Sequence, residues 1–267
     1  MHKQTSQWLI PVILAVGAAV ALWYYWMQMS PPPQQPDPIV APAPVANEDL
    51  PGPLHPVDQT VTVEAAAPEL VPLPSLDNSD DYFKLELANV FGDALESMLV
   101  QSGMIEKLVA TVDNLPREHV AERIRPLEKL AEPFRVDGQD ASGEFTINSN
   151  NFQRYNVLVG LIGDADMNEI ADLYIRYYPL FQRAYVDLGY PQGYFNDRLV
   201  EVIDHLLETP EVDGPIALVR PHVLYEFQDP ALEALSSGQK MMLRLGSEHA
   251  GSVKASLSEL RGLITTM

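Results

Sequence analysis

Apolar positions along this chain recur mostly at the helical period, and the stretch Tyr194–Glu208 carries that period most fully. At about 100° per residue, Phe195, Leu199, Val202, Ile203 and Leu206 fall on one side of a helix, and Val200 and Leu207 widen that side. Asp197, Glu201, Asp204 and Glu208 lie opposite, at i, i+4, i+7 and i+11. The same arithmetic confines them to a strip about 60° wide. Arg198 and His205 border the two faces. A helix with two such committed faces is predicted to be the central packing element of a domain.

The period extends over most of the C-terminal two-thirds of the chain. Phe83, Leu87, Val90 and Phe91 form a stripe that stops at Gly92, with Asn78 or Ser79 as its N-cap. A short helix over Asp93–Val100 follows, then Met104–Asn114 with Ile105, Leu108, Val109 and Val112 inward. Pro116 opens another short helix, Arg117–Ile124. Further helices are predicted over Phe152–Ile162, Asn168–Leu188 with a kink at Pro179, Pro230–Leu245 and Ser247–Met267. The last carries Ala250, Val253, Leu257, Leu260 and Ile264 as a narrow seam, suited to the body or to a second copy. Alternation is confined to Phe134–Val136 and Glu144–Ile147, which flank a Gly/Asp-rich turn and predict a hairpin. Ile216–Val219 and Val223–Phe227 are short extended runs. The expected fold class is mainly α, a helical domain with a minor β-hairpin.

A different apolar pattern fills the N-terminus. Trp8–Met27 is twenty residues without a charge, matching the roughly 20 residues that span a bilayer core. Trp8 at one end, and Trp23, Tyr24, Tyr25 and Trp26 at the other, resemble interfacial girdles. A cleavable signal peptide would need small residues where these aromatics stand. Thirteen of the 23 prolines then fall between Pro31 and Pro74, a composition that opposes hydrogen-bonded structure and favours an extended, disordered spacer. The expected organisation is a cytoplasmic N-terminus (1–7), a transmembrane helix (8–29), a proline-rich linker (30–75) and a helical domain (76–267). Lys3 precedes the span, while Gln28–Ser75 holds six acids and no Lys or Arg. The positive-inside bias therefore directs the domain outward, into the periplasm of a bacterial inner membrane.

Charge narrows the partners. With 17 basic and 37 acidic residues the net charge is −20, which opposes nucleic-acid binding and favours a basic protein or another envelope component. Cysteine is absent, which excludes thiol chemistry and disulfides. No GxSxG, Walker loop, helix-opening GxGxxG or HExxH occurs, and the six His show no metal-ligand spacing. Asp164, Asp166 and Asn168 alternate like a calcium loop, but Glu169 replaces its glycine and Ile175 its final Glu. Asp166 and Glu169 fit a capping box instead. No catalytic residue, cofactor or metal site is assigned.

The candidate interaction surface is the acid strip with its border and the adjoining tyrosines: Asp197, Arg198, Glu201, Asp204, His205 and Glu208, with Tyr190 and Tyr194. Like charges at i, i+4 destabilise a helix by about 0.2–0.5 kcal/mol each, so something should offset them. Arginines 117, 123, 125 or 220, solvent, or a foreign cation are the alternatives, and His205 with Glu201 makes a plausible pair. Tyrosines 174, 177, 178, 185, 190 and 194 suit either a core or a sugar- or peptide-binding groove.

Three stretches together resemble a bacterial family of unknown function, the one numbered 3014: ATVDNLPREHVAERIRPL (110–127), YFNDRLVEVIDHLLETPEVDGPI (194–216) and VLYEFQDPALEALSSGQKMMLRLG (223–246). The likeness spans about Leu76–Leu263. It implies the layout of anchor, proline-rich spacer and helical domain, and brings no activity or ligand with it. The expected function is a membrane-anchored, non-enzymatic interaction or scaffold module. Its alternatives are an envelope enzyme acting on cell-wall glycan or peptide through Glu201 or Asp197, and a periplasmic ligand-sensing domain.

Overall fold

The computed structural model describes residues 52–57, 72–129, 132–139 and 144–265. Trp8–Met27 and most of the proline-rich stretch lie outside them. Among the described residues no helix is long and apolar enough to cross a membrane.

Local sequence explains most element ends. Helix α1 (Asp80–Phe91) begins with two acids, Asp80 and Asp81, and stops at Gly92. Asp80 also accepts from the amides of Gly103 and Met104, both at 2.8 Å. One carboxylate therefore faces the dipole of its own helix and caps another. Helix α2 (Asp93–Glu96) is a single turn, and α3 (Met104–Asn114) is the helix that Asp80 caps. The predicted helix over Arg117–Ile124 shrinks to a 3-10 turn, Glu122–Ile124. Downstream, the chain pairs instead with residues 98–100: Val100 donates to Pro126 O and Glu128 to Met98 O. With prolines at 116 and 126 and no long apolar stripe, tertiary pairing outcompetes a helix here.

The predicted helix Phe152–Ile162 divides into α4 (Asn150–Gln153) and α5 (Asn156–Asp164). Helix α6 (Met167–Asp187) runs through Pro179 as one element. Its N-cap is Asp166, which accepts from the Asn168 amide at 2.8 Å. The acid once suggestive of calcium is a cap. Helix α7 (Phe195–Leu207) follows, with Phe195, Val200, Val202, Ile203 and Leu206 buried.

Strands β1 (Val136–Gln139) and β2 (Glu144–Ile147) form the expected hairpin. It is half of a larger structure. β3 (Ala217–Val219) and β4 (Glu226–Phe227) extend it into a four-stranded antiparallel sheet in the order β1-β2-β3-β4. Phe145 lies opposite Leu218, and Leu218 opposite Phe227, so one face is a continuous buried row. Strands of three and two residues are too short to reveal a period of two, which is why their pairing was not predicted. Pro230–Leu245 also splits, into α8 (Pro230–Glu233) and α9 (Ser237–Leu245), because Ser236 and Gln239 form a reciprocal capping box that starts a new helix. Helix α10 (Ser247–Thr265) closes the fold.

The domain is mainly helical with this small sheet. Its main core gathers Phe83, Met104, Ile105, Tyr177, Phe181, Ile203 and Ile264 from α1, α3, α6, α7 and α10. A second cluster sits under the sheet, where Phe145, Ile147, Leu218 and Phe227 meet Leu243. A third joins Val202 and Leu206 of α7 to Met242 and Leu245 of α9. Helix α7 thus lines the main core with one part of its apolar face and α9 with another. Leu257, Leu260 and Ile264 of α10 pack on the main core, so its seam serves the body of the same chain.

Candidate functional site

The polar side of α7 is built from its N-terminal end. Tyr194 is the N-cap but offers no side-chain bond. Gln182 of α6 supplies one instead, accepting from the Phe195 amide at 2.8 Å while donating to Gly193 O at 2.7 Å. The next residue, Asn196, is fully buried. Its amide nitrogen donates to His55 O at 2.9 Å and to Ile264 O at 3.1 Å, and its oxygen accepts from the Tyr174 hydroxyl at 3.0 Å. One side chain therefore holds α6, α7, the end of α10 and a segment from far upstream.

That segment is residues 52–57, part of the stretch read from composition as a spacer. It lies along the domain at the start of α7. Asp197 accepts from the Leu54 amide at 3.0 Å and from the His55 amide at 2.8 Å, one on each carboxylate oxygen. Because Pro53 and Pro56 have no N–H, Leu54 and His55 carry the two donors between them, and one carboxylate takes both. Burial alternates along the segment: Pro53, His55 and Val57 are half-buried, while Gly52, Leu54 and Pro56 are exposed. The chain bends at Leu54 and His55, which lets two neighbouring amides converge on one carboxylate. Val57 reaches the main core.

Two of the three remaining acids of the strip find other partners. Glu201 pairs with Arg198 at 2.9 Å. Asp204 takes a two-pronged contact from Arg261 of α10, through Nε and through Nη2 at 2.8 Å. The Arg261 hydrogen bond holds the Asp204 carboxyl below its ordinary range, and the nearby His55 works in the same direction. Glu208 is exposed. His205 does not bond to Glu201. Its Nε2 meets Ser236 Oγ at 2.8 Å, while its carbonyl accepts from Gln239 at 3.1 Å, tying α7 to the capping box of α9. The strip is largely offset by the protein's own donors. Those identified are Arg198, Arg261 and two backbone amides.

Arg198 also reaches a carboxylate that sequence reasoning did not single out. Asp113, at the end of α3, has only 3% of its side chain exposed. It accepts from Arg198 Nε at 3.1 Å, from Arg117 at 2.7 Å and from the Tyr190 hydroxyl at 3.2 Å. Arg198 Nη2 further donates to Asp113 O at 2.8 Å. The signal was present. Ile105, Val109 and Asp113 stand at i, i+4 and i+8, which puts an acid on the inward stripe of α3.

Of the predicted tyrosines, 174, 177, 178 and 185 are buried in the core. Tyr190 stacks on Tyr185 with ring centroids 4.6 Å apart. They form packing, with hydroxyls directed at Asn196, Gln182 and Asp113.

On the sheet side a cavity of about 480 Å³ lies between β2, the loop 209–216 and the start of α10. Ile147, Phe152, Ile216 and Leu243 give it an apolar wall, and Asp137, Thr146 and Glu211 polar points. Lys254 closes one side by donating to Thr209 O at 2.6 Å.

No curated protein and no solved structure matches the chain. A family model described as "Protein of unknown function (DUF3014)" matches residues 104–261, a span that holds α7, Asp113, the whole sheet and Arg261. The chain belongs to that family.

Proposed function

We propose that this chain is a membrane-tethered, non-enzymatic interaction module of the bacterial envelope, carried on residues 8–29 and displayed in the periplasm by its proline-rich stretch. The observation that supports it best is the use made of Asn196 and Asp197. These polar residues engage a peptide backbone, whereas a hydrolytic pair of carboxylates would have to face each other across a cleft about 5–10 Å wide. Asp197 and Glu201, the acids an enzyme would use, are instead spent on backbone amides and on Arg198. The test is a crosslinking pull-down of the full-length protein from cells, set against a control that retains only residues 1–50. An envelope protein recovered with the full chain alone is the expected outcome. Equal recovery with both would sink the proposal.

A ligand-sensing role has one observation in its favour. The cavity beside the loop 209–216 falls within the roughly 300–1,000 Å³ typical of small-molecule sites. A thermal-shift screen with cell-wall fragments tests it, and a shift abolished by Ile216→Trp, which fills the cavity, is the result that reading requires.

A further inference from the structure

We infer that the N-terminal end of α7 is a recognition site for a short, proline-flanked peptide that bends at its two central residues, and that residues 52–57 of the chain occupy it in cis. The inference rests on the interaction-module reading and assigns it a place and a ligand class.

The contacts are those of peptide recognition. Peptides are commonly held through main-chain hydrogen bonds, with specificity supplied by pockets for their side chains. Both parts are present. Asp197 takes two consecutive amides, and Asn196 donates to the carbonyl of the second. These three bonds use only backbone atoms of the bound segment, so any chain that bends with free N–H groups at two neighbouring positions satisfies them. Side-chain discrimination falls to the alternate inward residues, Pro53, His55 and Val57. Proline on either side of the Leu54-His55 pair restricts the backbone before binding, which lowers the ordering cost.

The receiving groups are held firmly. Asn196 is fixed by bonds to Tyr174 and Ile264 O, neither of which belongs to the peptide, and Asp197 projects from the first turn of a helix whose start is capped by Gln182. The occupant is joined to the domain by residues 58–71 alone. A short connection keeps the cis segment at an effective concentration near the millimolar range. A free peptide therefore competes poorly against the intact chain and well once the segment is changed.

The experiment uses the full chain in detergent with residues 52–57 replaced by alternating Gly and Ser. A fluorescent peptide of residues 51–58 is titrated and followed by anisotropy. Saturable binding is expected, at least ten-fold tighter than to the unaltered chain, and Asp197→Asn in the replaced background should weaken it at least ten-fold. Equal binding to replaced and unaltered chains would overturn the inference, as would no binding by a replaced chain of native helicity. Should the replacement impair folding, Val57→Ala in the otherwise intact chain loosens the segment more gently. It must then show a measurable gain in peptide affinity, and no gain refutes the site. Absent peptide binding with a successful pull-down would remove this site and leave the interaction-module reading in place. Peptide binding with a failed pull-down would do the reverse.

Discussion

At the scale of single residues, the most consequential group is Asp113. A carboxylate this buried is tolerable because two guanidinium groups and a hydroxyl surround it. Removing one partner of a buried ion pair leaves an uncompensated charge and costs about 3–5 kcal/mol. Asp113→Ala should therefore lower unfolding stability by about 3 kcal/mol in urea titrations. Pairing Asp113→Leu with Arg198→Met should cost much less than Asp113→Ala, because neither charge is then stranded. A double variant as damaged as the single one would show that the loss comes from packing rather than charge. Asp204 offers a milder, pH-dependent case. Its folded carboxyl is held below the ordinary value, so its contribution is complete above the unfolded pKa of about 3.9 and disappears as pH falls through the folded value. Thermal melts should decline less steeply below about pH 4 in Asp204→Asn than in the native chain. Because Asp204 is 44% exposed, added salt should shrink that difference.

At the scale of elements, helix joints matter more than helix interiors. The start of α9 approaches the end of α3 so closely that a Cβ on Gly238 would stand 2.7 Å from Leu206 Cδ2 and 3.1 Å from Leu115 O. Leu115 O is also the acceptor for the Gly238 amide, so the backbone cannot retreat without losing a bond. Gly238→Ala should cost about 1–3 kcal/mol through overpacking, measured by chemical denaturation. A neutral or stabilising result would mean that the joint yields. These joints also mark where the sequence was readable and where it was not. Helices α3, α6 and α7 were legible because each carries a long apolar stripe, and α7 was rightly read as central. The break between α8 and α9 was missed although Ser236–Lys240 interrupts the apolar residues on either side. Its marker, Ser236 three residues before Gln239, is a local capping pattern rather than a change of period. β3 and β4 were seen as extended runs, but they join the sheet through the pairing of β3 with β2, about 70 residues away, which no local pattern encodes. The acid strip was read correctly as a face in need of compensation. Its main cation comes from α10, and an ion pair between two helices leaves no mark in either one alone.

At the scale of the whole molecule, the two ends of the described chain meet at α7. Residues 52–57 and Ile264 of α10 share one buried side chain, Asn196. Its neighbour Asp197 touches the upstream segment and solvent but has no part in the core. Adjacent residues should therefore give outcomes on different scales. Asn196→Ala strands the Tyr174 hydroxyl, Ile264 O and His55 O at once, and each buried unsatisfied group costs about 1–3 kcal/mol. The expected loss is on the order of 3 kcal/mol, with lower protection from hydrogen exchange throughout α6, α7 and α10. Asp197→Ala removes acceptors only from the Leu54 and His55 amides. Those two amides should then exchange fast while the thermal midpoint stays close to native. The contrast separates two roles that sequence proximity would merge: a buried knot that holds helices together, and a surface carboxylate that holds a detachable segment. If Asp197→Ala instead melts the domain as Asn196→Ala does, the upstream segment is a structural part of the fold rather than a removable occupant.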